Sequence, residues 1–205
     1  MHSKLTEEIL KLSVAKFWDR AKLEWNFENA YQSEEKQTCL CGHYPIRKIC
    51  VIKNKGNSSR TEVGNCCVNK FFDIEEGNKI FTSIDRLKKD PSKSMSTDAV
   101  EFLKRKNILN DYEVNFYNSI IKKRDLSDKQ LKKKREINGK LLHYTSYEAN
   151  RDNTRINIAL ELARKKPDFD PKFIISLKTS YEKTGKLTEK QKNALENIIT
   201  TWKLE

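Results

Sequence analysis

The chain of 205 residues is short of the residues on which many catalytic and membrane-embedded proteins depend. It has three histidines, six glycines and four prolines, and its glycines are scattered, so no glycine-rich phosphate loop is present. No segment approaches the run of about 18 apolar residues that a transmembrane helix requires. The first residues also lack the continuous apolar stretch of a secretion signal. We therefore expect a cytoplasmic protein that does not bind a membrane.

The scarcity of histidine also argues against an enzyme. An HNH nuclease needs a histidine beside an acidic residue, and a zinc deaminase needs His-x-Glu followed by Cys-x-x-Cys; neither pattern occurs. A cysteine nucleophile needs a histidine base, and His43 could serve Cys66 only if no metal ion binds them both. The sequence therefore predicts a protein without catalytic residues.

The chain has little negative charge to balance its positive charge. It carries 41 lysines and arginines against 29 acidic residues, which gives a formal net charge of +12. Such a balance favours polyanionic partners, namely nucleic acid, acidic protein surfaces or anionic lipid. Charge by itself does not rank these partners.

The first third of the chain changes character along its length. Hydrophobic spacing predicts an amphipathic helix over residues 5–27, in which Trp18 and Trp25 are core anchors two turns apart. Residues 46–53 are rich in β-branched side chains, residues 54–59 are typical of a turn, and residues 59–63 are again extended. This pattern predicts a β-hairpin. Residues 66–72 then read as the first turns of a short helix.

All five cysteines lie between residues 39 and 67, which predicts a metal site. Cys39, Cys41 and His43 fall within five residues around Gly42, a hairpin follows, and Cys67 returns at the start of a helix. Knuckle, hairpin and helix in this order are typical of a treble-clef zinc finger, and a helix N-terminus favours a thiolate. An odd number of cysteines and no secretion signal favour reduced thiols.

We accordingly predict one structural Zn²⁺ ion. Its predicted ligands are Cys39, Cys41, His43 and Cys67, with Cys66 as the substitute for Cys67. The pattern departs from the usual finger, because one residue rather than two separates the first cysteines and the residue three beyond Cys67 is Lys70. Cys50 is predicted to be a small buried hydrophobe. The alternative is a thiol-rich core without metal.

The second half of the chain predicts a repeated helical hairpin. Residues 112–137 and 173–198 agree in residue type at spaced positions when they are offset by 61 residues. Each copy contains a capping box, Ser127 with Gln130 and Thr188 with Gln191, so a new helix begins just after Ser127 and Thr188. A further helix is predicted over residues 152–166. Such hairpins are more often packing units than helix-turn-helix DNA readers.

The predicted fold is mainly α with a small α+β module of treble-clef type. It has an N-terminal helix, a zinc knuckle with a β-hairpin, and then helical hairpins. The loss of apolar residues and the proline near residues 88–96 predict an exposed loop or boundary. We divide the chain into 1–84 (N-terminal helix and zinc-knuckle module), 97–145 (helical hairpin with a basic run) and 146–205 (helical segment and second hairpin).

The basic residues predict a surface that contacts the phosphates of DNA or RNA. The predicted contacts on the β-hairpin are Arg47, Lys48, Lys53, Lys55 and Arg60, and those on the helices are Lys122, Lys123, Arg124, Lys132, Lys133, Lys134 and Arg135. Two alternatives stay open. The charge run is a solvated helix face, or the chain is an adaptor or inhibitor that binds an acidic protein while zinc only holds the fold.

Several short motifs together also suggest a relationship. Glu24-Trp25, Cys39-Leu-Cys-Gly-His43, Pro45-Ile46, Ile52-Lys-Asn54 and Val63-Gly-Asn-Cys-Cys67-Val68 resemble small zinc-finger-like proteins of bacteria and their phages. Residues 20–72 carry most of this resemblance. It implies a metal site, a bacterial or phage origin and a role in phage–host conflict, and it brings no established activity with it.

Overall fold

The computed structural model of the chain describes residues 3–71 and 76–202. Within them the protein is mainly helical, with one small three-stranded antiparallel sheet. The chain divides into two compact units, Met1–Ala99 and Val100–Glu205. The three segments predicted from the sequence stay a prediction. None of the helices in the described ranges is long and apolar enough to cross a membrane.

The first unit contains the sheet and the helices around it. Its elements are α1 (Ser3–Leu12), α2 (Trp18–Ala21), a 3-10 turn (Lys22–Glu24), β1 (Trp25–Gln37), β2 (Ile46–Asn54), β3 (Arg60–Gly64), α3 (Asn65–Val68) and α4 (Glu76–Lys89). The strand order is β1-β2-β3. Ala30 pairs with Cys50 across β1 and β2, and Ile49 pairs with Gly64 across β2 and β3.

The β2–β3 hairpin confirms the predicted hairpin, but the single helix predicted over residues 5–27 is wrong. The chain leaves α1 at Ser13, whose hydroxyl donates to the carbonyl of Ile9 at 2.7 Å and accepts from the indole N–H of Trp25 at 2.9 Å. The Glu24 carboxylate accepts from the backbone N–H of Val14 at 2.8 Å and of Ala15 at 2.7 Å. Side chains thus take over backbone hydrogen bonds at this bend.

The bend turns the second half of the predicted helix into the start of β1. Trp25 is fully buried as the first residue of that strand, and its ring lies edge-on to Phe71 with centroids 6.5 Å apart. Trp18 is half-buried and meets the same Phe71 ring at 5.6 Å. Both tryptophans therefore serve the core, although they do not share a helix.

The region after the hairpin contains the predicted short helix, but this helix is shorter than expected. The predicted short helix is α3, which has only four residues and passes into a turn that reaches Phe71; Phe72 lies outside the described residues. α4 packs on the sheet, where a Cβ added to Gly77 would lie 3.1 Å from the Sγ of Cys50. Glycine thus permits a close approach. The loop predicted near residues 88–96 is found between α4 and α5 (Thr97–Arg105).

The second unit is helical in its described part. After α5 come α6 (Asp111–Ile120), α7 (Asp128–Tyr144), α8 (Tyr147–Ala163), α9 (Lys172–Thr184) and α10 (Glu189–Trp202). The helix predicted over residues 152–166 corresponds to α8. α6 and α7 form the first predicted hairpin, and α9 and α10 form the second.

The starts of the predicted hairpin helices are also confirmed. The Ser127 hydroxyl accepts from the backbone N–H of Gln130, whose side chain in turn accepts from the N–H of Ser127. Thr188 and Gln191 make the same reciprocal bonds before α10. Gly185 closes α9 at a φ of +72°, in the left-handed region that glycine adopts without strain.

Candidate metal centre

Three cysteine thiols converge at one end of the β2–β3 hairpin. The Sγ atoms of Cys39, Cys41 and Cys67 all lie within 4.8 Å of one another. Zinc binds thiolate sulfur at about 2.3 Å in a tetrahedral arrangement, which places two sulfurs about 3.8 Å apart. A contraction of about 1 Å or less therefore fits these three thiols around one ion. The cluster is a candidate metal centre.

A tight loop presents the first two cysteines. The backbone N–H of Cys39 donates to the carbonyl of His43 at 2.9 Å, and the N–H of Gly42 donates to the carbonyl of Cys39 at 2.7 Å. Gly42 has a φ of +88°, which a residue with a Cβ adopts only with strain. A Cβ at Gly42 would also meet the side chain of Lys4 at 3.3 Å. The flexible Lys4 side chain could move aside, so the positive φ is what favours glycine at this position.

The pairing of β2 with β3 positions the third cysteine. Gly64, the last residue of β3, pairs with Ile49 of β2, and its backbone N–H donates to the Sγ of Cys39 at 3.2 Å. α3 begins at the next residue, and Cys67 is its third residue. The β2–β3 register thus fixes the position of Cys67 relative to the loop that carries Cys39.

The thiols of Cys39 and Cys67 shift each other's pKa. A hydrogen bond from the Cys67 thiol, supported by the N–H of Gly64, lowers the pKa of Cys39 to about 5 although burial opposes ionisation. The same contact with Cys39, together with burial, raises the pKa of Cys67 because Cys67 is the donor. A metal ion replaces such a shared proton and favours the thiolate form of every ligand.

The length of α3 changes one argument made from the sequence. With four residues, α3 has too few aligned peptide groups to supply the helix dipole expected to favour a thiolate at Cys67. Its contribution is positional instead, since the turn brings a buried Cys67 against Cys39 and leaves Cys66 exposed.

The other two predicted ligands, His43 and Cys66, are not part of the cluster formed by Cys39, Cys41 and Cys67. His43 lies on the same loop, and its side chain is exposed. Cys66 neighbours Cys67 and is also exposed. Cys50 is fully buried in β2, and burial raises the pKa of its thiol to about 12, as befits the small hydrophobe predicted from the sequence.

The cations predicted on the hairpin fall into two groups. Lys48 is paired with Asp85 at 2.6 Å, and Arg60 is paired with Glu28 at 2.9 Å. Arg47, Lys53 and Lys55 have no ion-pair partner among residues 3–71 and 76–202. The unpaired cations can meet an external anion without giving up an internal one.

The cations predicted on the helices divide in the same way. Lys133 contacts Glu113 at 3.0 Å and Glu136 at 3.7 Å, and Lys134 is 5% exposed. The others are exposed, namely Lys122, Lys123, Arg124, Lys132 and Arg135. These residues belong to the second unit, and the hairpin cations belong to the first.

Two residues, one at the centre and one at the bend before β1, have roles with no clear signature in the sequence. Gly64 acts through its backbone N–H, which every residue except proline has, so only its place directly before Asn-Cys-Cys hinted at it. Glu24 organises the bend before β1 and also accepts from the side-chain amide of Asn54 at 2.8 Å. An isolated glutamate in an apparently helical stretch gives no sign of such contacts.

Comparison of the chain with protein families, with curated proteins and with solved structures gives no match in any of the three.

Proposed function

We propose that the chain is a zinc-stabilised nucleic-acid-binding protein without catalytic activity of its own. The observation that supports it is the convergence of Cys39, Cys41 and Cys67 at the base of a hairpin that carries unpaired cations. In this proposal the loop, the hairpin and α3 form a treble-clef-like module. Bound zinc supplies a cross-link between the loop and α3, which helps a small three-stranded sheet to fold.

His43 is the proposed fourth ligand. Structural zinc sites are usually four-coordinate, so three thiolates leave one position to fill. His43 lies two residues after Cys41 on the same loop, and its exposed imidazole is free to turn toward the thiols. Cys66 is less suitable because successive side chains on a helix diverge by about 100°. Zinc bound by His43→Ala should exchange faster with a chelator than zinc bound by the wild type.

The unpaired cations are the proposed phosphate contacts. In the first unit they are Arg47, Lys53 and Lys55, and in the second unit Lys122, Lys123, Arg124, Lys132 and Arg135. Each can release a counterion from a phosphate without breaking an ion pair to any residue that the structure describes. Lys48, Arg60 and Lys133 would first have to give up a carboxylate, so their contribution to binding is smaller.

A gel-shift titration tests the proposal. Zinc-loaded protein is titrated against duplex DNA, single-stranded DNA and single-stranded RNA at a low and at a physiological salt concentration. We expect binding at low salt that weakens steeply as salt rises, since each phosphate contact contributes about one unit to the slope of log K against log salt. If the protein bound none of the three probes at low salt, the proposed function would be refuted.

A second candidate function is binding of an acidic protein, and exposed apolar side chains favour it. Val14, Phe17 and Leu23 are exposed in the segment around the bend, and Phe17 has 76% of its surface in solvent. A Cβ at Gly56 would lie 3.2 Å from Val14, and the N–H of Lys55 donates to the carbonyl of Glu24, so this segment adjoins the hairpin turn.

The two candidates differ in what anchors the partner. Apolar contacts dominate the energetics of most protein interfaces, so an acidic protein would be anchored by Phe17 and would tolerate salt better than nucleic acid does. Phe17→Ser should leave nucleic-acid binding unchanged under the first proposal. The resemblance to proteins of bacteria and phages would place either partner in phage–host conflict.

A further inference from the structure

Two aromatic side chains stack on the outer face of α6. Tyr112 and Phe116 are one helical turn apart, and their ring centroids are 6.5 Å apart with planes inclined at 21°. Tyr112 is 69% exposed, and Phe116 is half-buried. The rings pack on each other and present aromatic surface to solvent.

The second helical hairpin does not display such a pair. At the offset of 61 residues, Phe173 in α9 corresponds to Tyr112, and Leu177 corresponds to Phe116. Leu177 is buried, and Phe173 is 42% exposed. Two stacked rings at these positions are therefore a property of the first hairpin and not of the repeat as such.

Cations follow the aromatic pair at the end of α6. Lys122, Lys123 and Arg124 are exposed, and a turn in which the N–H of Lys123 donates to the carbonyl of Ile120 holds them next to the helix. Positions 112, 116 and 119 share one face of α6, which ends at Ile120, and the cations lie in the turn directly after it. The aromatic face and the cationic turn are therefore adjacent along the chain.

The carboxylates nearby are largely engaged elsewhere. Asp111 contacts Lys104 at 3.0 Å. Glu113 is buried and holds Lys133 at 3.0 Å and Lys140 at 2.7 Å. Within α6 the other exposed polar residues are amides and a hydroxyl, and Asp125 and Asp128 are the acidic residues that follow the cations. The surface thus combines aromatic rings with net positive charge.

We infer that this face of α6 is a binding site for single-stranded nucleic acid. Tyr112 and Phe116 stack on unpaired bases, while Lys122, Lys123 and Arg124 contact the neighbouring phosphates. A duplex keeps its base faces stacked inside the helix, so exposed rings can reach bases only in a single strand. The inference rests on the proposed function and adds the class of nucleic acid.

The test uses the full-length zinc-loaded chain and three fluorescent probes of equal length: oligothymidine, oligouridine and a DNA duplex. Tyr112→Ala and Phe116→Ala should each weaken binding to the single strands by about 5- to 150-fold and leave duplex binding nearly unchanged. Tyr112→Phe should retain the affinity, and Tyr112→Leu should lose it, because stacking requires a ring and not merely an apolar side chain. A preference for one single strand would identify DNA or RNA as the source.

Phe173→Ala is the matched control, because it removes an exposed ring from the corresponding position of the other hairpin. It should bind all probes as the wild type does. If the wild type binds none of the probes, the proposed function itself fails. If the wild type binds but the Tyr112 and Phe116 variants bind single strands equally well, only the stacking site is refuted. The stacking site would also be refuted if size-exclusion chromatography showed a dimer for the wild type and a monomer for Phe116→Ala while the affinity for single strands stayed the same.

Discussion

The backbone N–H of Gly64 donates a hydrogen bond to the Sγ of Cys39 at 3.2 Å. This contact joins the end of β3 to the loop between β1 and β2. The whole of β2 separates Gly64 from Cys39 in the sequence. Together with the larger effect of the hydrogen bond from the Cys67 thiol, the contact stabilises negative charge on the sulfur and lowers the pKa of Cys39 to about 5. The hairpin therefore prepares the sulfur for a metal ion by its backbone geometry.

Replacement of Cys67 should abolish stoichiometric zinc binding, whereas replacement of Cys66 should not. Cys67 is buried against Cys39 and Cys41, and Cys66 is exposed and outside the group. Elemental analysis of purified protein should give about one zinc per chain for the wild type and Cys66→Ser, and much less for Cys67→Ser.

Thermal unfolding supplies an independent measure of the same site. A chelator should lower the melting temperature of the wild type and of Cys66→Ser, because metal binding is coupled to folding. Cys67→Ser should already melt at the lower temperature and should not respond to the chelator. Equal zinc contents in the two serine variants would contradict the assignment of Cys67.

Neutralisation of the unpaired hairpin cations should reduce the salt dependence of nucleic-acid binding. Arg47→Gln, Lys53→Gln and Lys55→Gln should each lower the slope of log K against log salt by about 1. Lys48→Gln is the matched control on the same hairpin, because its ammonium group is held by Asp85. A slope that changes as much for Lys48→Gln as for Lys53→Gln would contradict the proposed division into paired and unpaired cations.

Glu113 should stabilise the second unit at neutral pH and lose this effect in acid. Burial raises the pKa of its carboxyl, but hydrogen bonds from Lys140 and Lys133 outweigh burial, and the net pKa lies below the usual 4.5. A lowered pKa in the folded state contributes stability above the unfolded value, which is lost as pH falls through the folded one. Glu113→Gln should therefore lower the free energy of unfolding by about 1.5–3 kcal/mol at neutral pH.

Urea denaturation at neutral pH and below pH 4.5 measures this contribution. The difference between wild type and Glu113→Gln should narrow at the lower pH, where the wild-type carboxyl becomes protonated. Asp111→Asn removes an exposed carboxylate from the same helix and should change the free energy by about 1 kcal/mol or less. A difference for Glu113→Gln that is independent of pH would show that its charge does not matter.

His143 should make the second unit less stable as pH falls below the ordinary histidine value. Burial, followed by the charge of Lys186, lowers its pKa from 6.5, while Glu148, Asp152 and a hydrogen bond with the backbone of Gly185 oppose the shift. The folded state thus favours the neutral ring. The contribution of His143 to the free energy of unfolding is fully present above pH 6.5. It decreases as pH falls, because the unfolded chain binds the proton first.

The expected size of this effect is at most about 1.4 kcal/mol per pH unit until the folded-state pKa is reached. His143→Gln cannot take up the proton, so its free energy of unfolding should change less between neutral and mildly acidic pH. Tyr181→Phe, which removes the hydroxyl that donates to Ala149 in the same unit, is a control without a titrating ring nitrogen. An unchanged pH dependence in His143→Gln would exclude His143 as the source.

The sequence predicts best those elements whose signals are local. The capping boxes at Ser127 and Thr188 and the glycine at 185 mark helix ends through contacts between residues close in the chain, and the structure has them there. The β2–β3 hairpin is predicted for the same reason, since its strands are joined by one short turn.

β1 is missed because what defines it lies far along the chain. Its 13 residues are mostly polar, and the segment before it has helical hydrophobic spacing. What makes it a strand is its pairing with β2 and the bend that Glu24 holds through Val14, Ala15 and Asn54. Similarly, two cysteines on one loop predict a site, but only the folded chain tells Cys67 from Cys66.

Because Ile49 pairs with Gly64, the three thiols converge only when β2 and β3 are in the correct register. A hairpin slipped by one residue would move Gly64 by about 3.4 Å along β2 and turn its neighbours to the opposite face. The N–H donor to Cys39 would then be lost, and Cys67 would leave the other two sulfurs. Misaligned chains could not close the cluster, so a metal ion would select the correctly folded hairpin from its near-isomers during folding.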